Sequence, residues 1–167
     1  MNTRKFKGTP PRLERLYSDS PIYFVTFKTL NRRNILAHEA IDSALTEYAE
    51  TGVPMGAAVG IYVIMPDHVH LFVRLSPDRK LGRWEKGLKD KLGKQLAKLG
   101  YSPQNMPNCK LKSFWQPGFF DHILRSSESY RQKAQYVLDN PVRAGLVKKP
   151  EEWPFRGEIV ALDPFHS

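Results

Sequence analysis

At 167 residues, 41% of them hydrophobic, the chain is long enough to bury a core without disulfide or metal staples, so one globular domain is expected and a disordered chain is excluded. The formal charge of +9, from 26 Lys and Arg against 17 Asp and Glu, favours a polyanionic partner, nucleic acid before an anionic membrane surface; a merely soluble basic protein is the plain alternative. No apolar run approaches the roughly 18 residues of a membrane span. The opening MNTRKFKGTPPRLERL lacks the apolar centre of a secretory signal, and the single Cys109 has no partner for an internal disulfide, so a cytoplasmic protein without membrane attachment is expected.

Residues 1–16 carry Arg4, Lys5, Lys7, Arg12 and Arg15 around Pro10-Pro11 and read as an irregular basic arm, either lying along a phosphate backbone or solvated. Ile22 to Lys28, rich in β-branched and aromatic residues, predicts the first strand. In the polar loop that follows, Arg32 and Arg33 are candidate phosphate contacts, with an exposed basic loop as the alternative. Ile41, Leu45 and Tyr48 repeat at helical spacing within Ala37 to Thr51, and Gly52 and Pro54 stop that helix. Ala57 to Met65 and His68 to Leu75 predict an antiparallel hairpin closed at Pro66-Asp67. Leu81 to Leu99 predicts a helix with leucines on one stripe and lysines, Lys86 and Lys89 among them, largely off it. That basic face suits nucleic acid or simply water, and Gly87 and Gly93 allow a break.

Tyr101 to Lys112 reads as a loop, and Phe119 to Leu124 as a fourth strand opened by Pro117-Gly118. Ser126 or Ser127 caps a last helix from about Glu128 to Asn140, ended by Pro141. The order β-α-β-β-α-β plus a helix is the α+β ferredoxin-like pattern: a split β-α-β antiparallel sheet with an additional C-terminal helix that would carry the chemistry. The expected organisation is an arm at 1–16, a domain at 17–147 and a tail at 148–167 lying over it.

His68 and His70 flank Val69 on the second hairpin strand, so both imidazoles face one side of the sheet. They are either buried, satisfied histidines or two ligands of a divalent metal. Tyr136 and Asn140, four residues apart on a helix, return to one face. Asn140 offers an amide oxygen fit to be a third ligand for a hard ion such as magnesium or manganese. A phenol is a weak nucleophile at neutral pH unless a cation or base assists it, and core packing is the alternative role for Tyr136. Tyr130 lacks the same company, because the residue four further on is Ala134.

With these residues in view, His68-Val69-His70 resembles the HUH motif (His, hydrophobic, His) of single-tyrosine nucleases. The blocks VIMPDHVHLFV, FWQPGFFDHILR and YVLDNPVRAGLV are similar in order and spacing to the REP-associated tyrosine transposases, over roughly Ile22 to Val147. The resemblance implies a ferredoxin-like fold, a magnesium or manganese ion on His68 and His70, and a nucleophile at Tyr136. It also implies single-stranded DNA near imperfect palindromic hairpins as substrate, in a bacterial cytoplasm, cleaved and rejoined through a 5′-phosphotyrosine. Related transposases often carry Gln one helical turn after the tyrosine, where this chain has Asn140. Arg125 and Arg143 are expected as phosphate contacts or exposed structural arginines, and no role is derived for Asp121 and His122. A non-enzymatic nucleic-acid-binding module and a metal-dependent phosphodiesterase using water are the two alternatives; the protein is expected as a monomer or homodimer.

Overall fold

The computed structural model describes residues 20–162; the basic arm expected at residues 1–16 lies outside them. Strand β1, Ile22–Lys28, occupies the expected residues. It pairs antiparallel with β3, His68–Leu75, from Ile22 opposite Arg74 to Lys28 opposite His68. Strand β2, Ala57–Ile64, lies on the far side of β3, and the two are joined by a tight turn in which the Met65 N–H donates to the His68 carbonyl at 2.8 Å. A short ribbon pairs β4, Gln104–Asn105, with β5, Lys112–Ser113, inside the stretch expected to be irregular. Strand β6, Phe120–Leu124, pairs with the free side of β1. A seventh strand, β7 at Arg156–Glu158, completes an antiparallel sheet in the order β6-β1-β3-β2-β7. The four strands β6-β1-β3-β2 with their crossover helices are the expected ferredoxin-like arrangement.

Alternation along the strands divides the core. Val69, Leu71, Val73 and Leu75 face helices α1 (Glu39–Gly52) and α2 (Leu81–Lys98), where they meet Ile41, Leu45, Trp84, Leu88 and Leu92. Phe72, with Ile22 and Phe24 of β1, faces helix α3 (Ser127–Leu138) and meets its Tyr130, Ala134 and Val137. Helix α2 runs through Gly87 and Gly93 without the break that two glycines permit. At Gly87 a Cβ would lie 2.5 Å from the Tyr48 Oη, so the glycine lets α1 and α2 approach. The Tyr48 hydroxyl donates to the Trp84 carbonyl at 2.8 Å across that contact.

Two boundaries differ from expectation. Helix α3 is capped by Ser126, whose hydroxyl accepts from the Ser129 N–H, and ends at Leu138. Pro141 then sits at the start of a short helix α4, Asn140–Arg143, where its missing N–H costs nothing, so it opens a helix where it was expected only to end one. The segment expected as an overlying tail is instead part of the framework. Strand β7 places Gly157 opposite Tyr62, and a Cβ there would lie 2.9 Å from the Tyr62 ring. The Trp153 indole N–H donates to the Ile64 carbonyl at 3.0 Å, and Val160 and Leu162 are buried.

If this C-terminal segment is integral to the core, Trp153→Ala costs about 3–5 kcal/mol in urea unfolding, the usual loss for a truncated buried aromatic, and Trp153→Phe costs less. A loss under about 1 kcal/mol for Trp153→Ala would mean that the segment merely rests on the domain.

Candidate active site

On the α3 face of the sheet, His68 and His70 bring their Nε2 atoms to 3.1 Å. Asn140, at the junction of α3 and α4, places its side-chain amide nitrogen 3.3 Å from the same His68 Nε2. Rotating that amide by half a turn aims its oxygen at the same point. Three donor atoms therefore converge from two elements. Among the described residues no group of three or more His, Cys, Asp or Glu is placed to hold a metal ion, so the candidate donor set is two imidazoles and one amide. Two atoms bound at right angles to one ion at about 2.1 Å lie about 3 Å apart, which is the spacing of the imidazole pair.

The outer edges of the two rings are tied down. His68 Nδ1 donates to Asp67 Oδ1 at 2.7 Å, and His70 Nδ1 meets the Thr26 hydroxyl at 2.7 Å. A carboxylate on Nδ1 fixes the His68 tautomer that leaves the Nε2 lone pair free, the arrangement seen behind metal-bound histidines. Asp67 is held in turn by Arg32, whose Nε donates to Oδ2 at 2.7 Å. Burial pushes the Asp67 carboxyl up, but the hydrogen bonds from Arg32 and His68 more than offset it and hold it below the usual range. Burial pushes His68 down against the pull of Asp67. Burial, then the charges of His68, Lys133, Arg143 and Lys28, push His70 down to about 3. Both rings are therefore neutral at physiological pH.

Tyr136 lies on the exposed side of α3, while Tyr130 is buried against Phe72 with ring centroids 5.1 Å apart. Lys133 sits 5.0 Å from the Phe24 ring and 5.4 Å from the Tyr136 ring, and Phe24 stacks on His70 at 5.4 Å. The Arg143 guanidinium lies 3.8 Å over the Tyr136 ring and donates to the Tyr136 carbonyl. The Tyr136 ring thus has two cations against it and connects to the histidine pair through Lys133 and Phe24.

The expected basic contacts separate into groups. Arg143 joins the site at Tyr136, and Arg32 joins it through Asp67. Arg33 does not: it donates to the Ser102 carbonyl at 2.7 Å and pins one loop to another. Lys89, expected on a DNA-facing surface, is buried; it pairs with Glu85 at 2.7 Å and donates to the Gly118 carbonyl at 2.8 Å, so its role is to hold structure. Lys86 and Arg125 are exposed. Four residues around the histidine pair carry no chemical signal in the sequence alone. Asp67 reads there as a turn residue and Thr26 as part of a strand. Lys28 is the cross-strand neighbour of His68, and Lys133 precedes Tyr136 by three residues on the helix; both follow once register and helix face are known.

Residues 18–140 match the family described as "Transposase IS200 like". The chain belongs to this transposase family. It is similar to a REP-associated tyrosine transposase of Escherichia coli, 27% identical over 143 residues, with 84% of this chain and 78% of that protein covered. A Haemophilus influenzae relative is 24% identical over 141 residues, covering 83% of this chain and 80% of its own. The fold matches a solved structure of a REP-associated tyrosine transposase bound to a REP hairpin, with a TM-score of 0.61 and 25% identity, over 87% of this chain and 81% of the other. In this transposase His68 and His70 of β3 and Asn140 at the α3–α4 junction lie within the residues that the family matches. Among the described residues, no helix is long and apolar enough to cross a membrane.

The depressed histidines set a pH dependence. Folded His70 titrates near 3 and an unfolded histidine near 6.5, so between those values the unfolded chain binds more protons and stability falls as pH falls. In chelator-treated protein, the urea midpoint should drop between about pH 6.5 and 4, and His70→Gln should flatten that drop relative to the wild type. Parallel pH profiles for the two proteins would mean that His70 titrates near its ordinary value.

Proposed function

We propose that this transposase cleaves and rejoins single-stranded DNA beside hairpins, with Tyr136 as nucleophile and a divalent ion on His68, His70 and Asn140. The observation that carries this reading is the convergence of His68 Nε2 with His70 and Asn140, at a helix junction four residues beyond the exposed Tyr136. The hairpin-bound relative supports DNA hairpins as the partner. The two neutral imidazoles, the amide oxygen and the carboxylate behind His68 form a donor set suited to magnesium or manganese. An ion bound there would polarise a non-bridging oxygen of the scissile phosphate.

The chain's own residues account for the remaining work. Lys28, Lys133, Arg143 and Arg32 concentrate positive charge around the histidine pair and draw in a phosphate. Lys133 and Arg143 flank the Tyr136 ring and restrict where its hydroxyl can point. The phenol oxygen attacks phosphorus and gives its proton to solvent; a Tyr136 Oη–P bond forms as the P–O3′ bond breaks. The departing 3′ oxygen takes up a proton and the 5′ side of the break stays on the tyrosine. The phosphotyrosine retains the energy of the broken ester, so attack by another 3′-hydroxyl reverses the step and joins strands.

The test is a denaturing gel of 3′-labelled single-stranded DNA with a hairpin, incubated with manganese or chelator. A shifted, metal-dependent band that Tyr136→Phe abolishes, with binding within about two-fold of wild type, is the expected result. Cleavage without a covalent band would assign the attack to water, and binding without cleavage would leave a nucleic-acid-binding module.

The ligand set has a separate readout. Calorimetric manganese binding should vanish in His68→Ala and weaken about 10- to 100-fold in Asp67→Asn, which keeps the shape and removes the charge behind the ligand. Unchanged manganese affinity in both variants would rule out the histidine pair as the site.

A further inference from the structure

A cavity of about 330 Å³ opens beside the histidine pair, lined by Thr26, Lys28, Gln116, Pro117, Phe119 and Phe120 among others. Register fixes its relation to the site. Thr26 is opposite His70 on one side and opposite Phe120 on the other, so His70, Thr26 and Phe120 form one row across β3, β1 and β6 on a single sheet face. Two strand spacings put Phe120 roughly 10 Å from His70. Thr26 belongs to both places, since its hydroxyl meets His70 Nδ1 at 2.7 Å.

The contents of this cavity do not resemble a packing defect. Phe120 is 58% exposed, although it opens a strand whose neighbour Phe24 lies only 6.4 Å away, ring centre to ring centre. The wall from Gln116 to Phe120 is held firmly from behind. The Gln116 N–H donates to the Lys28 carbonyl at 2.9 Å, and buried Lys89 donates to the Gly118 carbonyl at 2.8 Å, where the backbone has the left-handed φ of 75°. Buried charge is thus committed to shaping a wall that carries exposed Gln116 and Phe120 beside Lys28 of β1. A phenyl face stacks any base, a glutamine amide reads a base edge through one donor and one acceptor, and a lysine meets the phosphate.

We propose that this cavity is a nucleobase subsite, in which Phe120 stacks and Gln116 reads one unpaired base on the strand whose phosphate rests at the histidine pair. The proposal rests on the function proposed above and makes Phe120 and Gln116 the specificity-determining residues of that reaction. It also gives the block Phe114 to Arg125 a use beyond that of an edge strand.

The test is a binding series on fluorescent hairpin oligonucleotides with a short single-stranded flank, in which one base at a time is replaced by an abasic site. In the wild type one position should lose affinity about 5- to 100-fold, the range for a lost stacking contact. Phe120→Ala should lower affinity for the intact oligonucleotide by a similar factor and abolish the penalty at that one position. Phe120→Leu, which keeps an apolar side chain, should fall between. Gln116→Ala should leave the stacking penalty and level the preference among the four bases there. An abasic profile unchanged in Phe120→Ala, or base preference unchanged in Gln116→Ala, would overturn the subsite. The same oligonucleotides separate this outcome from failure of the chemistry: a covalent band without positional coupling defeats the subsite alone, whereas coupling without a covalent band supports the subsite and defeats the catalytic reading.

Discussion

Two neutral imidazoles with facing Nε2 atoms, 3.1 Å apart on a buried sheet face, are the constraint around which the neighbouring structure is arranged. Two lone pairs at that separation repel unless a proton or a cation lies between them, and a buried polar edge left without a partner costs more than a kcal/mol or so. The chain meets the second demand on the outer edges, with Asp67 behind His68 and Thr26 behind His70. It extends the first link further, because Arg32 holds Asp67. To do so, Asn31 and Arg32 take left-handed φ values of 56° and 53°, which residues other than glycine adopt at a cost of about 1 kcal/mol or more each. Asn31 donating to Gln104 at 2.9 Å and Arg33 to the Ser102 carbonyl at 2.7 Å offset that strain. A polar loop that resembles a phosphate-gripping arginine pair is in fact the brace for one histidine.

The same distinction runs through the positive charge. A net charge of +9 says that cations are in excess, but not which of them are available. Lys89 is spent on Glu85 and Gly118, and Arg33 on a carbonyl. Lys28, Lys133 and Arg143 instead gather at the histidine pair, where their charges act together on His70. Under the proposed function, these cations would draw a phosphate to the place where the donor atoms converge.

Most of the sheet was legible from sequence because strand alternation and turn residues act locally. IYFVTFK and HVHLFVRL each fix a strand and its two faces, and Pro66-Asp67 fixes the turn between them. What was not legible depended on partners far away in the chain. Strand β7 has only three residues and no apolar alternation, and it exists because the open side of β2 accepts it while Trp153 seals the end. The continuity of α2 through Gly87 depends on Tyr48 of another helix. Asp67 and Thr26 are ordinary turn and strand residues until the register sets them behind His68 and His70. The pair Tyr136 and Asn140 was legible as a spacing, but the end of α3 at Leu138 and the short helix that starts at Asn140 were not.

Helix α3 presents two stripes. Tyr130, Ala134 and Val137 recur at four and three residues and bury one stripe of α3 against Phe24 and Phe72, which fixes the helix on the sheet. Lys133, Tyr136 and Asn140 recur at three and four residues on the adjoining stripe. Because the first stripe is locked by packing against the strands that bear the histidines, the second cannot shift relative to His68 and His70 without disturbing the core. The position of the phenol relative to the donor atoms is therefore set by apolar packing one stripe away, and the exposed Tyr136 needs only the flanking cations Lys133 and Arg143 to choose its direction. Under the proposed function, any change that loosens Val137 or Tyr130 in the core would act on the chemistry through geometry, without touching a reacting group.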